Sequence, residues 1–317
     1  MKRIAWPVFS ITLVLILMAV FLYRERDALA ALQGISFRFI LLLICLQSAV
    51  LVVNGVALRI IAAKFSIHLK TREWLGLSFM TTLGNAIAPF SGGLIARAAY
   101  LKRRHGFSYT QFGTSLAASY LINFTMVSVS GLMVLIALHR PFTYFRELTG
   151  LFLAALLILV CLMLTPFREL TWNNRLIHRI NDAIRGWSDI RGDRALVSRL
   201  SFCALLNILL GGVMYQAAYR SYGLEVPFDL SLLVYLLASF SLLINLTPGN
   251  FGIQEVIVAI SSGLFGVGAA YGVIVSLLLR LTGLLVAFTL GLLFSYLLTR
   301  ELNVKGVPTA HTPENGM

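Results

Sequence analysis

Long apolar runs separated by short, mostly basic segments set the pattern of the chain. Pro7 to Tyr23, Phe39 to Leu58, Phe107 to Leu138, Leu148 to Pro166, Leu200 to Tyr219 and Tyr271 to Leu298 are each long enough to cross a bilayer as a helix. Two further apolar runs are interrupted. Trp74 to Tyr100 is broken between Gly84 and Gly93, around Asn85, Pro89 and Gly92. Leu230 to Leu264 is broken between Asn245 and Glu255, around Pro248, Gly249 and Gly252. Proline and glycine this close together cannot comfortably continue a helix. The arm from Phe90 to Tyr100 is only about 16 Å long at 1.5 Å per residue. A bilayer core needs about 30 Å. The pattern predicts two re-entrant helical hairpins; a tilted, kinked span is the simpler alternative for the first. The expected fold is an all-α polytopic membrane protein with about six full spans plus the two hairpins.

The two breaks resemble each other. The first reads Asn85, Pro89, Gly93, Arg97 and the second Asn245, Pro248, Gly252, Glu255, about half the chain apart. Each half then reads span, span, hairpin, span, in opposite orientations. This predicts a single transmembrane domain of inverted repeats, about 7–140 and 148–299, a transporter architecture. Between the halves, residues 168–199 hold seven arginines and no lysine. Trp172, Leu176, Ile180, Ile184 and Trp187 make one apolar stripe there. It reads as an amphipathic helix, lying at the membrane interface or packed on the bundle. Residues 300–317 are polar and are expected to be disordered.

Composition agrees with this reading. The 317 residues are 58% hydrophobic and 12% charged, with a mean hydropathy of +0.85, whereas soluble domains are about a quarter charged. The net charge of +13 belongs to loops beside apolar spans, so it points to lipid headgroups and not to nucleic acid. With both breaks as hairpins, most of the 26 lysines and arginines fall on one side. That side is expected to be cytoplasmic and to hold both termini, in a prokaryotic plasma (inner) membrane. Ala28-Leu29-Ala30 after the first run could mimic a signal-peptidase site. A first span is preferred, because Arg24-Glu25-Arg26-Asp27 intervenes. Cys45, Cys161 and Cys203 lie in apolar runs and are expected to be packing residues without a disulfide. The five histidines are scattered. No metal site, cofactor or catalytic constellation is indicated, and the chain reads as a transporter and not as an enzyme.

The candidate site residues lie at and near the breaks. Glu255 is the only ionised side chain from Leu230 to Leu279. Arg280 sits about 14 Å into the last span. Ionisable groups at this depth are functional candidates that must find partners. Arg280 could hold a phosphate bidentately or pair structurally with Glu255. Arg97 could meet a lipid phosphate at the mouth of a groove, or snorkel with Lys102 and Arg103. Glu255 could balance the arginines, bind a cationic headgroup or carry a proton. Asn85, Asn245, Asn250 and Gln254 are candidate cavity lining or interhelical hydrogen-bonding groups.

At these residues a family resemblance is visible. Gly92, Gly93 and Arg97, then Pro248, Gly249, Gly252 and Glu255, followed by Arg280, resemble the transmembrane region of lysylphosphatidylglycerol synthases and the stand-alone flippase-like membrane proteins related to it. The similarity runs from about residue 8 to 299. It implies an integral membrane flippase that moves a charged-headgroup phospholipid or polyprenyl-linked lipid between leaflets, with membrane lipids as partners. The aminoacyl-transferring domain of the synthases is not expected here. Where family members carry charge early in the span after the first hairpin, this chain reads Ser119-Tyr120-Leu121-Ile122-Asn123. A proton-coupled small-anion transporter and a non-transporting accessory subunit are the alternative expectations.

Overall fold

The computed structural model describes residues 34–88, 91–138, 144–165, 175–243 and 247–304. The first apolar run, Pro89, Asn245 and residues 305–317 lie outside the described residues, and with them the first span, the signal-peptide alternative and most of the expected disordered tail. Most of the described residues are helical, and there is no strand among them.

Five helices among the described residues are long and apolar enough to cross a membrane. They are α1 (Phe37–Lys64), α4 (Tyr109–Ala137), α5 (Phe145–Leu164), α7 (Arg194–Arg220) and the continuous α10–α11 rod. The rod consists of α10 (Ala269–Val286), a π-helical turn (Ala287–Gly291) and α11 (Leu292–Val304). Its helix runs past Arg300 to Val304, so residues 300–304, expected to be disordered, are helical. The remaining helices are shorter: α2 (Thr71–Ile87), α3 (Gly92–His105), α6 (Arg175–Gly192), α8 (Phe228–Ser239) and α9 (Ile253–Leu264). A 3-10 turn, Phe240–Leu243, ends α8.

Both interrupted runs are helical hairpins. In the first, α2 and α3 lie antiparallel. Glu73, at the start of α2, accepts a hydrogen bond from Tyr100 and lies 3.2 Å from the His105 ring, both near the end of α3. Near the tip the two backbones touch. A Cβ on Gly93 would lie 1.9 Å from the Thr81 carbonyl oxygen, and one on Gly84 2.5 Å from the Gly93 Cα. Only glycine permits that approach. Asn85 Oδ1 accepts from the Gly93 amide at 3.0 Å, satisfying one of the N–H groups left open at the start of α3.

In the second, α8 runs antiparallel to α7. A Cβ on Gly211 would strike the Tyr235 ring, and one on Gly212 would strike Leu232 and Phe228. Helix α9 then returns parallel to α7, with Tyr215 bonded to Gln254 and Tyr219 to Ser262.

The hairpins enter from opposite ends of the bundle. Lys64, at the end of α1, meets Asp193, which caps the start of α7. This end also carries Lys70, Arg72 and Lys102 to Arg104, and from it the first hairpin rises. The other end of α7, at Tyr219 and Arg220, lies beside the open end of the second hairpin. The largest core cluster packs α7, α8, α9 and α10 around Tyr215, Tyr219, Leu233 and Val275, with Phe152 and Val127 reaching in from α5 and α4.

Helix α6 packs on the bundle. Ile190 is fully buried with Ile61, Ala118 and Leu200, and Gly186 lies against Thr114. Of its apolar stripe, Trp187 packs in this cluster while Ile180 is exposed; Trp172 and the Leu176 side chain lie outside the described residues. Its Arg191 donates to the carbonyls of Met163, Leu164 and Thr165, which the end of α5 leaves unpaired. The cysteines depart from expectation. Cys203 is buried, but Cys45 and Cys161 lie on the outer surface. An apolar run tells that a helix is in lipid, not which of its faces meets another helix.

Candidate functional site

The loop between α8 and α9 is held by Glu255 and Arg280. Gly249 (φ 59°), Asn250 (φ 58°) and Gly252 (φ 86°) adopt left-handed backbone, which turns the chain sharply between the two helices. That geometry points the carbonyls of Gly249 and Asn250 at α10. Arg280 Nη1 donates to the Gly249 carbonyl at 2.9 Å and Nη2 to that of Asn250 at 3.4 Å. Its Nε donates to Glu255 Oε1 at 2.5 Å. The other carboxylate oxygen accepts from the Gly252 amide at 2.7 Å. The guanidinium also stacks on Phe251, 4.7 Å from the ring centre. Every nitrogen of Arg280 is thus engaged by the protein, and Glu255 caps α9 while it neutralises the arginine. Of the two roles open for Arg280, the geometry matches the structural pair.

This clamp sets the contact between the hairpins. The Gly249 position lies against Ala86 and the Asn85 carbonyl at the end of α2. The two breaks therefore meet inside the molecule. Gln254 faces Tyr215, while Asn250 is buried with neither atom of its side-chain amide hydrogen-bonded.

On the other side of Asn85 lies a cavity of about 380 Å³. It is walled by α1, α2, α3, α4, α7 and α8, and its polar lining includes Asn54, Asn85, Arg97, Tyr120, Asn123 and Asn207. Asn54 and Tyr120 are exposed, so the cavity opens as a groove. Arg97 points into it from α3, its guanidinium 5.4 Å from the Phe112 ring centre. Its Nε is buried without a hydrogen-bond partner, and no carboxylate among the described residues pairs with it. This differs from the snorkelling alternative: Arg97 turns inward while Lys102 extends over the Tyr109 ring. Asn207 Nδ2 donates to Asn54 Oδ1 at 2.9 Å, joining α7 to α1 at mid-length.

The structure thus separates the expected site residues into two groups. Glu255, Arg280, Asn250, Gln254, Gly249 and Gly252 build the second break. Asn85 and Arg97 face the groove, and Gly92 and Gly93 hold the first hairpin closed at its tip. Pro248 begins the turn of the second break, and Pro89 and Asn245 lie outside the described residues. Sequence reasoning passed over Asn207 and Glu73. An asparagine in the middle of the apolar run from Leu200 to Tyr219 was the available signal for the first. Glu73 accepts from the Lys70 amide at the start of α2 and anchors both arms of the hairpin, a role visible only once α3 folds back.

The family model described as the lysylphosphatidylglycerol synthase TM region matches residues 8–291. The chain belongs to this family. The match spans both hairpins, the groove and Arg280. No curated protein and no solved structure gives a significant match to the chain.

Proposed function

We propose that this member of the lysylphosphatidylglycerol synthase TM family moves a phosphate-bearing lipid between leaflets, without covalent chemistry. The headgroup enters the groove, the apolar chains stay in the bilayer, and Arg97 binds the phosphate. The observation that carries this reading is the Arg97 guanidinium, turned into a polar groove at the junction of the two hairpins with its buried Nε unpartnered and no carboxylate beside it among the described residues. An inward, uncompensated cation at membrane depth is expensive unless a ligand completes it. A guanidinium fits a phosphate with two parallel hydrogen bonds. In this reading both hairpins are re-entrant, the basic end of the bundle is cytoplasmic by the positive-inside rule, and membrane lipids are the partners.

The test is headgroup sidedness in reconstituted vesicles. Wild-type protein should accelerate exchange of a labelled anionic phospholipid. Arg97→Ala should abolish it in protein that retains its thermal unfolding temperature, and Arg97→Lys should restore only part. Unchanged exchange in Arg97→Ala removes the proposed role. Uptake of free phosphate without lipid movement would instead identify a small-anion transporter.

A further inference from the structure

The groove's polar wall is chemically one-sided. Among the described residues, Arg97 is the single charged one lining it, and no Asp or Glu is among those lining residues. The rest of its polar surface is neutral: the amides of Asn54, Asn85, Asn123 and Asn207, with tyrosine, serine and threonine hydroxyls. Two buried polar atoms in this wall have no hydrogen-bond partner, Arg97 Nε and Asn207 Oδ1. Exchanging the oxygen and nitrogen of the paired Asn54 and Asn207 amides would turn the open acceptor into an open donor. A hydroxyl group satisfies either arrangement, because it both donates and accepts. An ammonium group only donates, and here it would face Arg97 with no carboxylate to offset the repulsion. The volume of about 380 Å³ is near the lower end of ligand pockets, about 300–1,000 Å³. It suits one small headgroup and not an oligosaccharide.

We infer that the groove selects a headgroup made of one phosphate and one neutral polyol, such as glycerol or a single sugar, and rejects headgroups that carry an ammonium. The phosphate sits on Arg97 and a polyol hydroxyl on the Asn207 amide. This rests on the reading of the groove as the headgroup's path. It adds a role for Asn207 that is independent of whether the lipid is moved.

Two measurements test it on the full chain in phosphatidylcholine nanodiscs and vesicles. Calorimetric titration compares glycerol phosphate, phosphoethanolamine and inorganic phosphate. Glycerol phosphate should bind about ten-fold more tightly than either of the others, the value of one well-made hydrogen bond. Asn207→Ala should erase that preference while inorganic phosphate binding is kept, and Arg97→Ala should weaken all three ligands. Phosphoethanolamine binding as tightly as glycerol phosphate overturns the inference, whether or not the Asn207 variant folds. So does a preference that survives in folded Asn207→Ala, or no binding of any of the three. The second measurement compares exchange of phosphatidylglycerol and phosphatidylethanolamine. Faster phosphatidylglycerol exchange supports both proposals. The expected binding order with no lipid movement overturns translocation alone and leaves the groove as a site for a soluble polyol phosphate.

Discussion

At the scale of single residues, the two deep arginines do opposite work. Arg280 engages each of its three nitrogens with Glu255 or with two carbonyls of a broken backbone, whereas Arg97 keeps a buried nitrogen open. Substitution should separate them. Arg280→Leu leaves the Glu255 carboxylate buried without its partner, a loss of about 3–5 kcal/mol of stability. The double variant Arg280→Leu with Glu255→Leu removes both charges and should unfold at a higher temperature than Arg280→Leu alone. Thermal unfolding in detergent measures the order; a double variant no more stable than the single one contradicts a structural pair. Asp193 gives a pH effect of known sign. The Lys64 ammonium and then the Leu196 amide hold its carboxylate below the usual range. A depressed carboxylate adds stability that is complete above its unfolded pKa, about 3.9, and is lost as pH falls through the folded value. Unfolding temperatures measured from pH 5 downward should therefore fall less steeply in Asp193→Asn than in the wild type.

At the scale of elements, the hairpins are set by where backbone can approach backbone. Gly93 packs on the Thr81 carbonyl with no room for a side chain, and even Gly93→Ala forces α2 and α3 apart. Gly113, on α4, has nothing within 4 Å of a built Cβ. Gly113→Ala should raise stability by about 0.5–1 kcal/mol, the usual gain in a helix interior, while Gly93→Ala should lower it. The comparison uses one assay and one chemical change, so a common effect of added methyl groups cannot explain opposite signs. Glycine spacing marked these breaks in the sequence. It did not reveal that Asn85 would cap α3 across the tip, because that bond spans two helices and depends on the fold-back.

At the scale of the whole molecule, α7 runs from the end where the first hairpin starts to the end where the second starts. The two hairpins meet through Gly249 and the end of α2. In a background lacking Cys45, Cys161 and Cys203, exposed positions at opposite ends should label from opposite sides. Arg103→Cys should react only from the cytoplasmic face and Glu225→Cys only from the other, read with a membrane-impermeant maleimide in oriented cells. Labelling of both from one side would contradict hairpins entering from opposite faces.

By itself the sequence determined that the chain is a helical membrane protein, where its helices break and which ionisable side chains lie within apolar runs. Those properties are local: hydrophobic run length, the chemistry of proline and glycine, and the composition of a segment. It also limited Glu255 to a small set of partners, since charge in an apolar setting has few. Only the tertiary structure decided that Arg280 is satisfied and Arg97 is not. The direction a helical side chain faces depends on helix rotation and on what neighbouring helices present, and neither is written in the spacing of a single run. For the same reason Asn207, unremarkable within its apolar helix, becomes part of the groove wall only when α7 is laid against α1.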